Sequence, residues 1–146
     1  MMDRKEFIKT CGYSCLGFIG LSFLDSCTPA KYIQVGSENN LLQISRSEFI
    51  EIKKNKEQIR HYVVVKTSAL NYPLVLYRFS DTDFSAVLLQ CPHQGAELNV
   101  HGDLLSCSAH GSEFNNKGEL IQGPAEQGLK KFKVTTDNQT IYIHLT

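Results

Sequence analysis

The stretch "CPHQGAELNVHGDLLSCSAHGSEF", residues 91–114, holds two of the chain's five cysteines and three of its five histidines. One residue separates Cys91 from His93, and two residues separate Cys107 from His110. In each of these two boxes, a tight loop can direct a thiolate and an imidazole at a common centre. Soft sulfur and imidazole nitrogen at such short spacing are typical of a metal site.

A glycine follows the histidine of each box, Gly95 after His93 and Gly111 after His110. Glycine allows the positive φ or the close approach that a metal-wrapping loop needs. Between the boxes, "NVHGD" at residues 99–103 is predicted to be a turn that folds one box back against the other. We therefore expect the boxes at the tips of two neighbouring β-loops.

The residues alone leave other uses open. A disulfide between Cys91 and Cys107 suits an exported chain, but it leaves His93 and His110 without a role. Zinc takes the same set of two cysteines and two histidines. A nucleophilic Cys–His pair would need an orienting third group and an oxyanion donor. His101, in the turn, is interpreted as a solvated residue rather than a ligand.

The two boxes resemble those of Rieske iron-sulfur proteins, in which Cys-x-His and Cys-x-x-His hold a 2Fe-2S cluster. The resemblance runs from about residue 73 to the C-terminus. The segment "GSEFNNKGELIQGPAEQGLKKFKV", residues 111–134, is similar to the family's exit from the second box, where a Gly-Pro loop packs over the cluster. Gly123, Pro124 and Ala125 stand at that place. Box order and exit loop together favour iron-sulfur over zinc.

The resemblance implies one 2Fe-2S cluster per chain, with two cysteines on the inner iron and two histidines on the outer iron. Two Fe(III), two sulfides and two thiolates sum to zero charge, and a neutral centre accepts an electron readily. Rieske potentials accordingly span roughly −150 to +300 mV, against about −400 mV for plant-type ferredoxins. The residues that the resemblance assigns to the cofactor are Cys91, His93, Cys107, His110 and Ser112.

Three positions refine the resemblance. Ala96 and Ala109 stand where high-potential relatives carry two further cysteines that form a disulfide between the loops. Ser112 matches a serine that hydrogen-bonds a bridging sulfide, whereas Phe114 replaces a tyrosine that donates to a cysteine sulfur. Fewer donors to sulfur stabilise the reduced cluster less. We predict a potential in the middle or lower part of the Rieske range that falls at alkaline pH, where exposed histidine ligands lose a proton.

Length and pattern predict the architecture around the boxes. A chain of 146 residues suits one domain. Short runs of β-branched and aromatic residues between turns predict an all-β antiparallel sandwich or barrel over residues 41–146. The resemblance implies that this is a small Rieske-like domain with a cluster-binding subdomain at two loop tips. Residues 28–40 are predicted to be a linker, and residues 45–59 a stretch that contains a short helix. Fifteen basic and fifteen acidic side chains, without a basic stripe, argue against nucleic acid as a partner.

The first 27 residues read as an export signal. A basic head, with Arg4, Lys5 and Lys9, precedes a mostly apolar run over residues 11–24. About 15 helical residues span roughly 22 Å, less than the ~30 Å hydrocarbon core of a bilayer, so a permanent membrane span is disfavoured. The head "DRKEFIK" also resembles a twin-arginine export signal, with Arg-Lys in place of Arg-Arg.

The end of this segment predicts an anchor. "LDSC", at residues 24–27, resembles the bacterial lipobox, in which a leucine three residues before the cysteine and a small residue just before it guide cleavage, although Asp25 is unusual in that motif. The resemblance implies cleavage before Cys27 and lipid attachment to that cysteine. The alternatives are a cleaved soluble protein and an uncleaved signal anchor. We expect a membrane-anchored lipoprotein that faces the periplasm or the cell exterior.

The predicted function is one-electron transfer by an exported Rieske protein. Its redox partner would be a cytochrome, a quinol-linked complex or a catalytic subunit. The alternative is a Rieske subunit of a larger oxidoreductase, and a zinc-binding structural module is a third hypothesis. The chain has no room for the second, mononuclear iron domain of a complete Rieske oxygenase. We therefore assign no catalytic residue and interpret the protein as a carrier or redox subunit.

Overall fold

The computed structural model of the protein describes residues 30–146. The described chain consists of β-strands and one short 3-10 helix, Arg46–Phe49. The strands are β1 (Tyr32–Gln34), β2 (Ser37–Glu38), β3 (Leu41–Ser45), β4 (Ile50–Lys53), β5 (Lys56–Ile59), β6 (Tyr62–Lys66), β7 (Leu74–Arg78), β8 (Phe84–Leu88), β9 (Asn99–His101), β10 (Leu104–Ser106), β11 (Glu113–Asn115), β12 (Leu120–Gln122), β13 (Lys131–Thr136) and β14 (Thr140–His144).

Three sheets organise these strands. The largest has eight strands in the order β1-β6-β7-β8-β13-β14-β3-β2, the second has the order β12-β11-β10-β9, and the third is the β4–β5 hairpin. Neighbouring strands are antiparallel throughout, except that β1 runs parallel to β6. The all-β prediction is confirmed. The second box lies between β10 and β11 of the four-stranded sheet, and the first box lies in the connection from β8 of the large sheet to β9.

The central strands of the large sheet are buried on both faces, which explains their continuous apolar runs. In β6, Val63 and Val65 belong to one hydrophobic core and Val64 belongs to another. The alternation follows from the two-residue period of a strand. The second core also contains Leu105 and Phe114 of the small sheet, so this core joins the small sheet to the large one.

The sheet begins earlier in the chain than the sequence predicts. Residues 28–40 were expected to form a linker, but Tyr32–Gln34 pairs with β6 and Ser37–Glu38 pairs with β3. Asn39 and Asn40 both have positive φ, 51° and 60°, and make the tight turn of the β2–β3 hairpin. The linker prediction is wrong for these residues because pairing with β6 and with β3, rather than local periodicity, orders them.

The helix predicted within residues 45–59 is limited to one 3-10 turn. Ser45 caps it, with its side chain accepting a hydrogen bond from the backbone N–H of Ser47 at 3.3 Å. The rest of the segment forms the β4–β5 hairpin, because Lys54 and Asn55 adopt positive φ, 49° and 59°. None of the described residues forms a helix long and apolar enough to cross a membrane. The predicted export signal and Cys27 lie outside the described residues.

Candidate metal centre

The first box is a closed loop at the end of the large sheet, just after β8. The carbonyl oxygen of Cys91 accepts a hydrogen bond from the N–H of Gly95 at 2.8 Å. The N–H of Cys91 donates to the carbonyl oxygen of Ala96, also at 2.8 Å. Gly95 has φ +77°, a conformation that other residues rarely adopt. The two bonds close the loop around His93.

The second box repeats this geometry between β10 and β11. The carbonyl oxygen of Cys107 accepts from the N–H of Gly111 at 2.9 Å, and its N–H donates to the carbonyl oxygen of Ser112 at 2.8 Å. Gly111 has φ +80°. In both loops the glycine is four residues after the cysteine and the closing carbonyl is five residues after it. Counting from the histidines hides this equivalence, whereas counting from the cysteines would have revealed it.

The loops separate sulfur from nitrogen. Cys91 and Cys107 are 1% and 2% exposed, and both are free thiols. His93 and His110 face solvent, with ring centroids 4.9 Å apart and ring planes at 90°. The four side chains therefore form a buried thiol pair and an exposed imidazole pair. The structure does not contain the disulfide that composition alone would favour.

The environment of Cys107 favours the thiolate, the form of cysteine that binds metals. Burial raises the pKa of the Cys107 thiol. The backbone N–H groups of Ala109 and His110 and the side chain of Cys91 hydrogen-bond to it and lower that pKa further than burial raises it. The net pKa of Cys107 lies below its ordinary value.

Ser112 joins the second box to the Gly-Pro loop that follows β12. Its side chain is fully buried, and its Oγ accepts a hydrogen bond from the N–H of Ala125 at 3.0 Å. A hydroxyl that accepts one bond can still donate its own hydrogen. The Gln122 side chain also donates to the carbonyl oxygen of Gly111, at 3.3 Å. The exit loop thus lies against the second box, as the resemblance implies.

Two contacts that sequence reasoning missed hold the small sheet on the large one. The hydroxyl of Tyr77 in β7 donates to the carbonyl oxygen of Gly102 in the β9–β10 turn at 2.7 Å. Burial raises the pKa of Tyr77, and Tyr62 and Asp103 add to the rise. At Gly118, a Cβ atom would lie 2.8 Å from the Val87 side chain in β8. Only the absence of a side chain allows this approach, which nothing in the local sequence pattern predicts.

Three further positions singled out in the sequence, His101, Ala96 and Ala109, contribute no ligand and no disulfide. His101 faces solvent in β9, outside the His93–His110 pair. Ala96 and Ala109, where relatives carry cysteines, cannot form a disulfide. Among residues 30–146, no three His, Cys, Asp or Glu side chains converge as they would around one metal ion. A 2Fe-2S cluster needs no such convergence, because its inorganic sulfides complete the coordination of each iron.

These features fit a 2Fe-2S cluster: two buried thiols, two exposed imidazoles, and backbone donors around sulfur. A family model described as the Rieske [2Fe-2S] domain matches residues 50–133, more than half of the chain. The chain belongs to the Rieske [2Fe-2S] domain family. Membership assigns one 2Fe-2S cluster to this protein, rather than zinc, and one-electron transfer as its role.

Several solved structures are similar to this chain, and the two with a TM-score of at least 0.50 show the same fold. The cyanobacterial plasma membrane Rieske protein PetC3 from Synechocystis PCC 6803 is 23% identical, with a TM-score of 0.49 over 57% of this chain and 85% of that chain. Naphthalene 1,2-dioxygenase with indole bound is 25% identical, with a TM-score of 0.50, over 58% of this chain and 22% of that chain. The quaternary ammonium Rieske monooxygenase CntA with L-carnitine is 18% identical, with a TM-score of 0.52, over 70% and 31%. No curated protein matches the chain.

Proposed function

We propose that this Rieske protein carries single electrons at the outer side of a membrane, to which Cys27 anchors it. In this proposal Cys91 and Cys107 bind the inner iron, and His93 and His110 bind the outer iron. The observation that supports the assignment best is the segregation of the four side chains, with thiols buried at 1–2% exposure and imidazoles in solvent. When bound, the cluster takes up one electron and releases it to a partner.

The residues of the chain set the conditions for that exchange. The buried core around Cys91 and Cys107 keeps water from the sulfur side, and the N–H groups of Ala109 and His110 stabilise negative charge there. The hydroxyl of Ser112 can donate toward the same side. His93 and His110 extend into solvent, where a redox partner can approach them closely. The docking tip and the metal ligands are then the same two side chains.

The metal assignment is tested on the purified full-length protein. We expect a red-brown protein with two irons and two acid-labile sulfides per chain, and a rhombic electron paramagnetic resonance signal after reduction. The variants His93→Cys and His110→Cys should change that signal, while His101→Gln should leave it unchanged. A colourless protein with one zinc per chain would contradict the proposed ligands and cluster together.

The location rests on the N-terminal pattern, a basic head and an apolar run that end at Cys27. Metabolic labelling with a fatty acid tests it in cells. We expect label on the native chain and none on Cys27→Ser, with Cys15→Ser as a matched control in the same segment. The native chain should sediment with membranes and become accessible to protease when the outer side is exposed. Equal labelling of Cys27→Ser and the native chain would contradict the anchor.

A second candidate is a subunit that supplies electrons to a catalytic partner. The similarity covers only 22% of the naphthalene 1,2-dioxygenase chain, so a domain of this fold is one part of a larger oxidoreductase there. Chemical cross-linking of membranes that contain the native protein distinguishes the two roles. A stable complex with a second redox protein of fixed stoichiometry favours a subunit, whereas transient contacts that disappear at high salt favour a free carrier.

A further inference from the structure

The β4–β5 hairpin presents an apolar face to solvent. Ile50 pairs with Ile59 across the two strands, and Ile52 lies two residues from Ile50, so the three side chains share one face. Their exposed fractions are 47%, 56% and 73% respectively. Glu57, the cross-strand partner of Ile52, is the fourth side chain of this face. The three isoleucines therefore form an exposed apolar surface with one acidic side chain near the hairpin tip, and exposed apolar surfaces mark interaction sites.

The tip of this hairpin is basic. Lys53, Lys54 and Lys56 surround the turn, and residues 50–60 contain four basic and two acidic side chains, a net charge of +2. The acidic Glu51 is already engaged by Arg60 at 2.8 Å and by Lys53 at 3.7 Å. Lys54 and Lys56 are exposed and form no ion pair with another described residue. Lys54 lies in the turn itself, and Lys56 pairs with Lys53 on the opposite face of the hairpin from the isoleucines, so the positive charges are gathered at the tip rather than within the apolar face.

The hairpin lies at the end of the large sheet from which the N-terminal segment leaves. Ala30, the first described residue, lines the same surface groove as Glu51 and Gln58 of the hairpin. Just beyond it, the carbonyl oxygen of Lys31 accepts a hydrogen bond from the N–H of Val64 at 2.8 Å, which aligns the first residue of β1 with the middle of β6. Because the two strands are parallel, Ala30 lies toward the start of β6, and it lines the groove together with Tyr62. Cys27 is only three residues before Ala30.

The first box leaves the opposite end of that sheet. Tyr62, at the start of β6, pairs with Tyr77 in β7, and Tyr77 pairs with Ser85 near the start of β8. These three residues therefore lie at the same end of the sheet. At the other end, Leu74 is beside Leu88, the last residue of β8, and the Cys91 loop follows directly. The strand length thus separates the hairpin and the N-terminal connection from the cluster.

We propose that the Ile50–Ile52–Ile59 face and the Lys54–Lys56 tip rest on an anionic lipid surface, which orients the domain with its cluster loops away from the membrane. This contact rests on the proposed anchoring through Cys27. Apolar side chains beside lysines match the boundary between acyl chains and anionic headgroups. A tether of only a few residues keeps the hairpin at that boundary, and one apolar face with a basic tip selects which end of the sheet touches it.

The chain contains no tryptophan, so one introduced residue reports its own surroundings. The experiment uses the lipid-anchored holoprotein with Ile52→Trp, reconstituted into vesicles of phosphatidylcholine and phosphatidylglycerol with brominated or ordinary acyl chains. Ile121→Trp is the matched control, because Ile121 is 57% exposed but belongs to β12 of the small sheet. The ratio of fluorescence in the two lipids cancels any quenching by the cluster.

We expect brominated lipid to quench Ile52→Trp and shift its emission to the blue, and to leave Ile121→Trp unchanged. Lys54→Gln and Lys56→Gln should each weaken the contact about fivefold, and vesicles without phosphatidylglycerol should weaken it further. Visible absorbance of the cluster verifies that each variant is folded.

Other results would overturn the proposal in distinguishable ways. If the protein sediments with vesicles but Ile52→Trp is not quenched, the lipid contact is wrong and the anchor stands. Equal quenching of both variants contradicts the orientation. A blue shift that requires an added membrane protein rather than lipid assigns the face to a protein partner. Failure to sediment with vesicles overturns the anchor and the lipid contact together.

Discussion

The loop that begins at Cys91 and the loop that begins at Cys107 have the same backbone hydrogen-bond pattern, but different parts of the domain hold them in place. Each closes with one hydrogen bond from a glycine at the fourth position after the cysteine and one to a carbonyl at the fifth. The first loop continues directly from the large sheet, where the N–H of Leu89 donates to Pro73 at 2.9 Å. The second belongs to the small sheet, and the Ser112 side chain ties it to the exit loop.

The difference between the two loops shows that the spacing of residues and the side chain at one position have separate effects. The spacing Cys-x-x-x-Gly determines the loop geometry, because a positive φ at the fourth position allows both closing hydrogen bonds. The side chain at the fifth position then determines what the loop binds: Ala96 in the first loop has no polar group, and Ser112 in the second accepts from Ala125. Geometry is therefore duplicated, while the connection to the rest of the domain is not.

The largest expected effect is loss of bound iron and sulfide, and it should be the same for both loops. Cys91→Ser and Cys107→Ser each remove one proposed thiolate ligand, and both should reduce bound iron and sulfide more than about tenfold, since changes that merely neighbour a ligand already cost that much. Iron and sulfide analysis with visible absorbance measures the loss, with His101→Gln as the control. Retention of the cluster in one variant but not the other would show that the loops contribute unequally to ligation.

The next prediction exploits the difference at the fifth position. Ser112→Ala makes the second loop resemble the first, but it leaves the N–H of Ala125 without its acceptor in a buried site. An unsatisfied buried donor costs about 1–3 kcal/mol of unfolding free energy. Urea denaturation followed by cluster absorbance measures it. The reciprocal variant Ala96→Ser should change stability less, because it removes no existing bond; a larger loss there would contradict the asymmetry.

The glycines test whether the shared backbone is the cause of the shared geometry. Gly95→Ala and Gly111→Ala place a side chain at φ +77° and +80°, which costs about 1–2 kcal/mol in unfolding free energy. A Cβ at Gly111 meets nothing within 4 Å, and at Gly95 it would lie 3.4 Å from Gln90 Nε2. Similar losses on urea denaturation would identify φ as the cause. A loss at Gly95 alone would assign it to local crowding.

These loops also show how far sequence reasoning reaches. The two boxes and most strands of the large sheet follow from short-range patterns, and the structure confirms the strands. Strands of two or three residues, such as β1 and β2, carry too little pattern to be predicted and exist because β6 and β3 pair with them. The Tyr77–Gly102 bond and the approach of Gly118 to Val87 depend on how two sheets meet, which no single segment encodes.

A smaller effect concerns redox potential rather than folding. Phe114 is fully buried in the core that contains both cysteines, at the place where relatives carry a tyrosine. Phe114→Tyr adds a donor that favours the reduced cluster, so we expect the potential to rise by on the order of 50 mV, close to the 59 mV of a tenfold change for one electron. Phe132→Tyr, in the other core, is the matched control in a redox titration. A rise in both variants would contradict a local hydrogen bond.

The smallest expected effect is on stability and comes from Asp137, which lies outside both loops. It should be the same whichever loop is altered. Hydrogen bonds from the Tyr142 hydroxyl and from the N–H groups of Gln139 and Thr140 lower the pKa of Asp137 in the β13–β14 turn. A lowered folded-state pKa stabilises the protein above the ordinary value of 3.8, and that stability disappears as pH falls through the folded-state pKa. Asp137→Asn should therefore slightly reduce the stability of the folded protein at neutral pH, and its stability should converge with that of the native protein in acid.

Urea midpoints at several pH values measure this difference. Because Asp137 supports neither box, the same pH-dependent difference should appear in the Ser112→Ala and Gly95→Ala backgrounds. If the pH-dependent stability difference caused by Asp137→Asn differs between the Ser112→Ala and Gly95→Ala backgrounds, acid acts through one of the two loops. The support of that loop would then depend on the β13–β14 turn of the large sheet.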